Sequence, residues 1–253
     1  MADVNVEFDG YVQIIRINRP ALRNALNASV ARGVAAAIDA ADGSPEIRVS
    51  VITGDTEVFS SGTDLNALAE GETALIDGRG LCGIGSAPPS KPLIAAVEGW
   101  ALGAGLELLL CCDLIVAGAT AQFGLPEVRR GVVAGGGGAI LLPRKIPPAI
   151  ALEMLLTGEP IDAERAATVG LINEVVPAGS ALRRALALAH RVAQNAPLAV
   201  RATKAVAVQS PDWQPEQKWQ RQAAITEPVL GSLDAREGGR AFLERRAPVW
   251  REA

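Results

Sequence analysis

The sequence contains a single histidine, and aromatic residues make up only 4% of its 253 residues. Histidine is the side chain most often used in general acid–base catalysis, so an acid–base enzyme of this composition would rely on other groups. The formal net charge of −4 provides no basic field to attract nucleic acid or anionic lipid. No uninterrupted run of about 18 apolar residues occurs, so a membrane-spanning helix is not expected.

Cysteine is also scarce, with Cys82 and the adjacent pair Cys111 and Cys112. An odd number of cysteines without a CxxC motif argues against a disulfide framework, and no Cys/His cluster has the spacing of a metal site. The first ten residues carry acidic side chains and no apolar segment, so a signal peptide is not expected. These features predict a cytoplasmic protein with reduced thiols and no bound metal.

The hydrophobic pattern of the first half alternates between strands and helices. A hairpin with a turn at Asp9-Gly10 is predicted within 4–17, a helix over 27–43, strands over 49–53, 93–97 and 113–117, and a helix over 106–112. Helices dominate the second half, over 150–156, 163–169, 180–194, 198–208, 214–225 and 234–249. The pattern predicts an α/β fold with crossover connections, divided into a core domain over 1–195 and a helical region over 196–253.

A glycine-rich segment over 99–107 follows a predicted strand and opens a predicted helix. Small residues let a ligand approach the backbone, and the first turn of a helix has unpaired N–H groups. Leu108 stands where a dinucleotide fingerprint would have its third glycine, and the run Gly135–Gly138 lacks the Lys-Ser/Thr of a phosphate loop. The segment therefore indicates a site of backbone donors, although tight packing between strand and helix also explains these glycines.

Two glutamates are candidates for proton transfer. Glu107 lies in the first turn of an otherwise apolar predicted helix, and Glu127 follows Pro126. A carboxylate in an apolar, glycine-lined pocket loses hydration, which raises its pKa toward the working range of an acid–base catalyst. Each glutamate alone is equally typical of a helix start, where a negative charge is favoured.

Two further features are less specific. The loop over 58–65 contains Ser60, Ser61, Gly62 and Thr63 and offers another backbone donor, but ordinary turn chemistry accounts for it as well. His190 lies on a predicted surface helix among arginines, so we expect neither a catalytic role for it nor a Ser-His-Asp triad.

Taken together, ordered motifs along nearly the whole chain resemble the enoyl-CoA hydratase/isomerase (crotonase) family. The matching segments are Asn18-Arg19-Pro20, Arg23-Asn24-Ala25-Leu26, 59–65, 91–108, 121–131, 156–158, 166–172 and 237–246. The resemblance implies a spiral of repeated ββα units with a C-terminal helical trimerisation region, assembled as trimers or dimers of trimers. It also implies an acyl-CoA thioester as the substrate and no further cofactor, since CoA enters with the substrate.

The same resemblance implies roles for particular residues. The backbone N–H groups of Thr63 and Ala104 would form an oxyanion hole for the thioester carbonyl. Glu107 would activate water and Glu127 would exchange the α-proton, giving hydration of a 2-enoyl-CoA to a 3-hydroxyacyl-CoA. The positions that match those around the substrate are Arg23, Ala25, Ser61, Asp64 and Leu65 beside CoA, and Gly103 and Gly135 beside the acyl group. Arg245 or Arg246 would reach CoA phosphates, including those of a neighbouring subunit.

Several positions depart from the family pattern. Thr63 and Ala104 replace a common alanine and a common glycine, and 134–142 replaces a more polar segment beside the acyl pocket. The segment 142–150 and the Pro-Val-Trp near the C-terminus resemble the carnitinyl-CoA dehydratase branch. That dehydratase, a Δ3-Δ2 enoyl-CoA isomerase and a non-catalytic acyl-CoA-binding protein therefore stay as alternatives.

Overall fold

The structure is a computed structural model that describes residues 2–252. Its strands are β1 (Val4–Asp9), β2 (Val12–Ile17), β3 (Val49–Thr53), β4 (Val58–Ser60), β5 (Leu75–Ile76), β6 (Gly80–Leu81), β7 (Leu93–Val97), β8 (Trp100–Leu102), β9 (Leu114–Gly118), β10 (Gln122–Gly124), β11 (Ile161–Asp162) and β12 (Glu174–Val176). Its α-helices are α1 (Ala28–Gly43), α2 (Leu65–Ala69), α3 (Ala104–Leu110), α4 (Gly138–Lys145), α5 (Pro148–Thr157), α6 (Ala163–Thr168), α7 (Ala181–Ala193), α8 (Pro197–Gln209), α9 (Lys218–Leu230) and α10 (Leu233–Glu244).

A six-stranded sheet in the order β1-β2-β3-β7-β9-β12 forms the centre of the core. The β1–β2 hairpin is antiparallel, and every later pair in this sheet is parallel. All five residues of β3 and of β7 are buried. These strands are buried along their whole length because helices cover both faces of a parallel sheet.

The two faces of this sheet are covered by different elements. One face packs against α7, which turns a stripe of small side chains toward it, namely Ala181, Ala185, Ala189 and Ala193. The other face packs against α1 and α3 in the larger hydrophobic core, where Val34 and Leu106 are fully buried. Since alternate residues of a strand point to opposite faces, the small residues of α7 and the larger residues of α1 and α3 can each fill one side.

A second sheet, in the order β11-β10-β8-β4, places three loop segments at one edge. Both β4 and β10 pair in parallel with β8, so the carboxyl ends of these three strands lie side by side. Leu102 lies opposite Gly124, and Ala101 lies opposite Ser60. The chain therefore leaves β4, β8 and β10 next to one another, and such an edge is a common place for ligand sites in α/β folds.

Buried charged side chains secure two connections in the core. Lys91 donates from Nζ to the carbonyls of Ala41, Ser44 and Ile47 at 2.6–2.7 Å, at and just after the C-terminus of α1. Glu98 accepts a 2.9 Å hydrogen bond from the N–H of Ala181, the first residue of α7. A cation after the end of a helix and a carboxylate at its start both complement the helix dipole.

The structure agrees with most of the predicted elements and corrects several boundaries. The helix over 27–43 is present as α1, capped by the side chain of Asn27. The terminal helix ends at Glu244, before the predicted 249, and the helix predicted over 214–225 is a 3₁₀ turn at Pro215–Gln217 followed by α9. The glycine-rich segment over 99–107 contains the short strand β8 and the first residues of α3, which begins at Ala104, before the predicted 106.

The C-terminal helices carry large apolar side chains that face solvent in the single chain. The side chains of Phe242 and Leu243 on α10 are more than 80% exposed. The C-terminal tail folds back onto its own chain, because Trp250 donates to the carbonyl of Gln194 and Asp234 accepts from the N–H of Arg251. The division into 1–195 and 196–253 stays a prediction, although α8 does begin at Pro197.

None of the helices within residues 2–252 is long and apolar enough to cross a membrane. The three cysteines of the described chain are free thiols. Burial raises the pKa of Cys82 and of Cys111 to about 12, so both thiols stay protonated at neutral pH.

Candidate active site

Glu107 lies in the first turn of α3 with only 3% of its surface exposed. Its Oε1 accepts a 2.8 Å hydrogen bond from the N–H of Gly138, the first residue of α4. A Cβ at Gly136 would lie 2.6 Å from Oε2 of Glu107, so the side chain reaches α4 only because that position has none. The N-terminus of α4 therefore holds a carboxylate, as helix N-termini commonly do.

Glu127 reaches the same region from the 3₁₀ turn Pro126–Arg130 that follows β10. A Cβ at Gly103 would lie 3.1 Å from its Oε1, which places the carboxylate against the turn before α3. Its Oε2 is buried and has no hydrogen-bond partner among residues 2–252. A buried acceptor without a partner is energetically unfavourable, so this oxygen is available to a donor from a ligand.

The pKa values of both glutamates are raised above the ordinary value. Burial is the largest cause for Glu107, the N–H of Gly138 partly opposes it, and the nearby charge of Glu127 raises the pKa further. Burial is also the largest cause for Glu127, opposed by its own backbone N–H and by the charge of Arg130. Raised values bring both carboxyl groups closer to the neutral range in which an acid or base exchanges protons.

The backbone N–H groups of Thr63 and Ala104 have no hydrogen-bond partner among the described residues. Leu26 donates to the carbonyl of Gly62 at 2.8 Å and accepts from the N–H of Asp64 at 2.9 Å. Successive N–H groups of an extended chain point to opposite sides, so the N–H of Thr63 faces away from Leu26. Ala104 is the first residue of α3, where helical N–H groups have no partner within the helix.

Close backbone contact brings these two N–H groups together. Gly62 has φ +101°, and a Cβ there would lie 2.8 Å from the carbonyl oxygen of Leu102 and 3.4 Å from the nitrogen of Ala104. Gly103, with φ 52° and ψ −127°, adopts a conformation that is essentially restricted to glycine. The glycines in this region therefore allow the loop after β4 to lie directly against the start of α3.

The other predicted site residues surround the same loops. Ser61 donates from its backbone to the carbonyl of Arg23 at 3.0 Å, and the side chains of Arg23, Ser61 and Leu65 are exposed. Ala25 is buried, and Gly103 lies beside Glu127. Gly135 is exposed, with ordinary space around its Cα. Their contacts with a substrate stay a prediction.

Asp64 has a structural role that the sequence did not indicate. Its Oδ1 accepts from the N–H groups of Asn66 and Ala67 and so caps α2, while its Oδ2 lies 2.9 Å from Nη2 of Arg19. Burial tends to raise the pKa of Asp64, but these hydrogen bonds and the charge of Arg19 outweigh it and lower the pKa. Both carboxylate oxygens of Asp64 are therefore occupied within the protein, as is its backbone, whose N–H donates to Leu26 and whose carbonyl accepts from Leu68. Contact of Asp64 with CoA stays a prediction.

The sequence reasoning assigned no function to Arg19, Asn24 or Ser60. Asn24 is buried and donates to the carbonyl of Val58, and the hydroxyl of Ser60 donates to the carbonyl of Asn24 at 2.8 Å. The available signal was the pair of polar dipeptides Asn18-Arg19 and Arg23-Asn24 shortly after β2.

His190 and Arg246 contact acidic side chains outside this site. His190 is 2.8 Å from Asp9 at the turn of the β1–β2 hairpin and does not contact either glutamate. Arg246 pairs with Glu237 and Glu244 of its own chain. Within residues 2–252 no group of three or more His, Cys, Asp or Glu side chains is arranged to hold a metal ion.

The geometry and the comparison with known proteins lead to the same family. The family model described as enoyl-CoA hydratase/isomerase matches residues 7–253. The chain belongs to this family. The 2,3-dehydroadipyl-CoA hydratase of Escherichia coli (strain K12) is 39% identical over 250 residues, which cover 98% of each chain. The carnitinyl-CoA dehydratase of Salmonella typhi is 39% identical over 251 residues, which cover 96% of each chain.

Solved structures of the family have the same fold. The crystal structure of enoyl-CoA hydratase from Mycobacterium tuberculosis H37Rv superimposes with a TM-score of 0.98 at 49% identity and covers 100% of both chains. The predicted crotonase fold, an α/β core followed by C-terminal helices, is thereby confirmed.

The mutual influence of the two carboxyl groups can be measured by titration. Replacing Glu127 by Gln removes a negative charge near Glu107, so ionisation of Glu107 becomes easier and its pKa should fall. The pKa of Glu107 should stay above the ordinary glutamate value, because burial is a larger cause of the shift than the charge of Glu127. Carboxyl ¹³C NMR titration measures the pKa of Glu107 in the wild type and in the variant. Glu153→Gln, on the exposed surface of α5, is the control that should leave the Glu107 pKa unchanged. A Glu107 pKa that is unchanged or raised in Glu127→Gln would contradict the described arrangement.

Proposed function

We propose that the protein is an enoyl-CoA hydratase, which reversibly adds water to a 2-enoyl-CoA thioester and gives a 3-hydroxyacyl-CoA. The observation that carries the proposal is a pair of carboxyl groups, buried Glu107 and half-buried Glu127 with its buried Oε2, beside two unpaired backbone N–H groups. Such a reaction belongs to fatty acid oxidation or related acyl-CoA breakdown. CoA enters as part of the substrate, and the proposal requires no further cofactor.

The unpaired N–H groups of Thr63 and Ala104 account for activation of the thioester. Addition of water at the β-carbon places negative charge on the thioester oxygen as an enolate forms. Two fixed donors aimed at this oxygen stabilise the charge, by about 3–4 kcal/mol per donor in comparable sites. Because both donors belong to the backbone, Thr63 and Ala104 can stand where other family members have smaller residues.

The two glutamates account for the proton transfers. Glu107, whose Oε1 is held by the N–H of Gly138, would orient a water molecule and take its proton as the oxygen attacks the β-carbon. Glu127 then delivers a proton to the α-carbon from its unpartnered side. The raised pKa values suit both roles, since one group must be ionised and the other protonated in the same site.

The substrate contacts follow from the exposed loops around this pair. Arg23, Ala25, Ser61, Asp64 and Leu65 would border CoA, and Gly103 and Gly135 would line the acyl group. Arg245 or Arg246 would reach CoA phosphates, from the same subunit or a neighbouring one.

A carnitinyl-CoA dehydratase is the second candidate, since it runs the same elimination on another acyl group. The similarity to the relative from Salmonella typhi supports it, together with the segment 142–150. A Δ3-Δ2 isomerase needs only one proton shuttle, so the presence of both glutamates favours a hydratase. A non-catalytic binding protein would have no use for two neighbouring carboxyl groups with raised pKa values.

We also propose that the protein acts in the cytoplasm as a homotrimer or a dimer of trimers. Large apolar side chains are exposed on the C-terminal helices, including Trp219, Leu230, Phe242 and Leu243. An exposed apolar patch of this kind is typical of a protein–protein interface. The reduced state of the buried cysteines supports the cytoplasmic location.

The activity can be tested with purified protein and a series of enoyl-CoA thioesters, including crotonyl-CoA and crotonobetainyl-CoA. We expect the enoyl-thioester absorbance to fall and the product to gain one water by mass. Glu107→Gln and Glu127→Gln should each lower kcat by about 10²–10⁴-fold, because each removes one acid–base group. Glu164→Gln, exposed on α6, is the matched control that should keep full activity.

The acyl group that reacts fastest separates the hydratase from the dehydratase. A folded wild-type protein that binds CoA but converts none of the thioesters would contradict the proposed function. Full activity in either glutamate variant would contradict the assigned chemistry.

The assembly can be tested by light scattering. Phe242→Asp places a charge on the apolar face of α10, so we expect the trimer or hexamer of the wild type to dissociate into monomers. Phe8→Asp is the control, because Phe8 is 65% exposed on β1, away from the C-terminal helices. A wild type that is monomeric at micromolar concentration, or a Phe242→Asp variant of unchanged mass, would contradict this part of the proposal.

A further inference from the structure

The guanidinium of Arg19 joins the two segments that flank the Thr63 amide. Its Nη1 donates to the carbonyl of Ala25 at 2.6 Å, and its Nη2 lies 2.9 Å from Oδ2 of Asp64. Nε lies 3.7 Å from Asp3, the other carboxylate near this group. The side chains of Arg19 and Asp64 are 12% and 10% exposed, so the pair is only weakly screened by water.

The chain between Arg19 and Ala25 is strained. Arg23 and Asn24 have φ of 50° and 54°, and the left-handed region is unfavourable by roughly 1–2 kcal/mol for a residue such as arginine, while asparagine adopts it more readily. The turn is held by the buried side chain of Asn24, whose Oδ1 accepts from the N–H of Arg19 at 2.9 Å. Strain of this kind persists only where the surrounding contacts fix the backbone, and it is common at functional sites.

The strained turn directs Leu26 alongside the loop after β4. The hydrogen bonds of Leu26 to Gly62 and Asp64 fix the loop on both sides of Thr63. Arg19 contacts Ala25, just before Leu26, and Asp64, just after Thr63. Its guanidinium therefore links the two segments that Leu26 joins by hydrogen bonds. Movement of either strand would rotate the Thr63 N–H away from that of Ala104.

We propose that Arg19 is a positioning residue for the reaction, which sets the direction of the Thr63 amide through Asp64 and Ala25. This inference rests on the proposed hydratase function. Arg19 does not touch the reacting atoms, and its effect reaches them through the backbone of the loop. We expect Arg19 to affect kcat, because a donor displaced by a fraction of an ångström stabilises less well the charge that develops on the thioester oxygen in the transition state.

Arginine suits this position better than lysine. The planar guanidinium donates in two fixed directions, one to a carbonyl and one to a carboxylate, while an ammonium is a single point charge. Arg19→Lys therefore retains the charge and loses one of the two contacts. Asp64→Asn removes the ion pair but keeps an oxygen that can cap α2, since asparagine and aspartate are comparable caps.

The experiment compares Arg19→Lys, Arg19→Gln, Asp64→Asn and the double variant Arg19→Gln/Asp64→Asn with wild type. We expect kcat for hydration to fall about 10–100-fold in each single variant, with KM changed less than about threefold. The double variant should be no worse than Arg19→Gln, because both residues act through one contact. Arg184→Gln, which breaks the 2.8 Å ion pair with Glu174 away from the site, is the matched control and should keep wild-type kcat.

A spectroscopic readout separates positioning from general loss of structure. A conjugated aryl-enoyl-CoA bound at saturation absorbs at longer wavelength when the N–H groups polarise its carbonyl. We expect this red shift in the wild type and a smaller shift in the Arg19 and Asp64 variants, while thermal unfolding of Asp64→Asn and Arg19→Lys shows folded protein.

Wild-type kcat and red shift in a folded Arg19→Gln would overturn the proposal, as would full recovery by Arg19→Lys or additive losses in the double variant. If wild type bound the thioester without hydrating it, the hydratase function would fail. The red shift would then still decide whether Arg19 orients the Thr63 amide.

Discussion

The Glu107 carboxylate is buried at the N-terminus of α4, and the rest of the site depends on how that charge is accommodated. Water does not reach it freely, so its ionised form is stabilised mainly by the N–H of Gly138 and by the helix dipole. Glycines are needed at 136, 138 and 103 because side chains there would crowd Glu107 or Glu127. The burial of the Glu107 carboxylate, its position at the start of α4 and the glycines around it therefore depend on one another.

The use of backbone N–H donors and two glutamates explains why the site has so few polar side chains. Three parallel strands end side by side, and each delivers one component at the same edge: the Thr63 loop after β4, α3 after β8 and the Glu127 turn after β10. Backbone N–H groups need no side chain, so the donors tolerate variation in sequence. A pair of desolvated glutamates covers the proton transfers, which accounts for a candidate acid–base site in a chain with one histidine.

The fold was predictable where local signals and packing agree. The Asn27 cap, the stripe of apolar residues in α1 and the buried strands β3 and β7 all appeared in the sequence pattern. Helix α4 was not predicted, since it begins at glycine, contains Pro143 and forms where tertiary contacts fix it. Strands β8 and β10 have three residues each, too short to show a period of two.

The candidate site was predictable only in part. Residue patterns singled out Glu107, Glu127 and the glycine turn, but only family resemblance connected them with Thr63 and Ala104. The contacts of Asn24 with Val58 and of Arg19 with Asp64 could not be inferred, because they join segments that are at least 34 residues apart in the sequence. Spacing along the chain carries no information on such long-range hydrogen bonds.

The central claim is that Thr63 and Ala104 receive the thioester oxygen while Glu107 and Glu127 face the reacting carbons. A crystal structure with a bound acyl-CoA that cannot be hydrated tests it directly. The account predicts the thioester oxygen about 3 Å from both backbone nitrogens, with the α- and β-carbons between the two carboxyl groups. A thioester oxygen that contacts neither nitrogen, or an acyl group directed away from the glutamates, would contradict it.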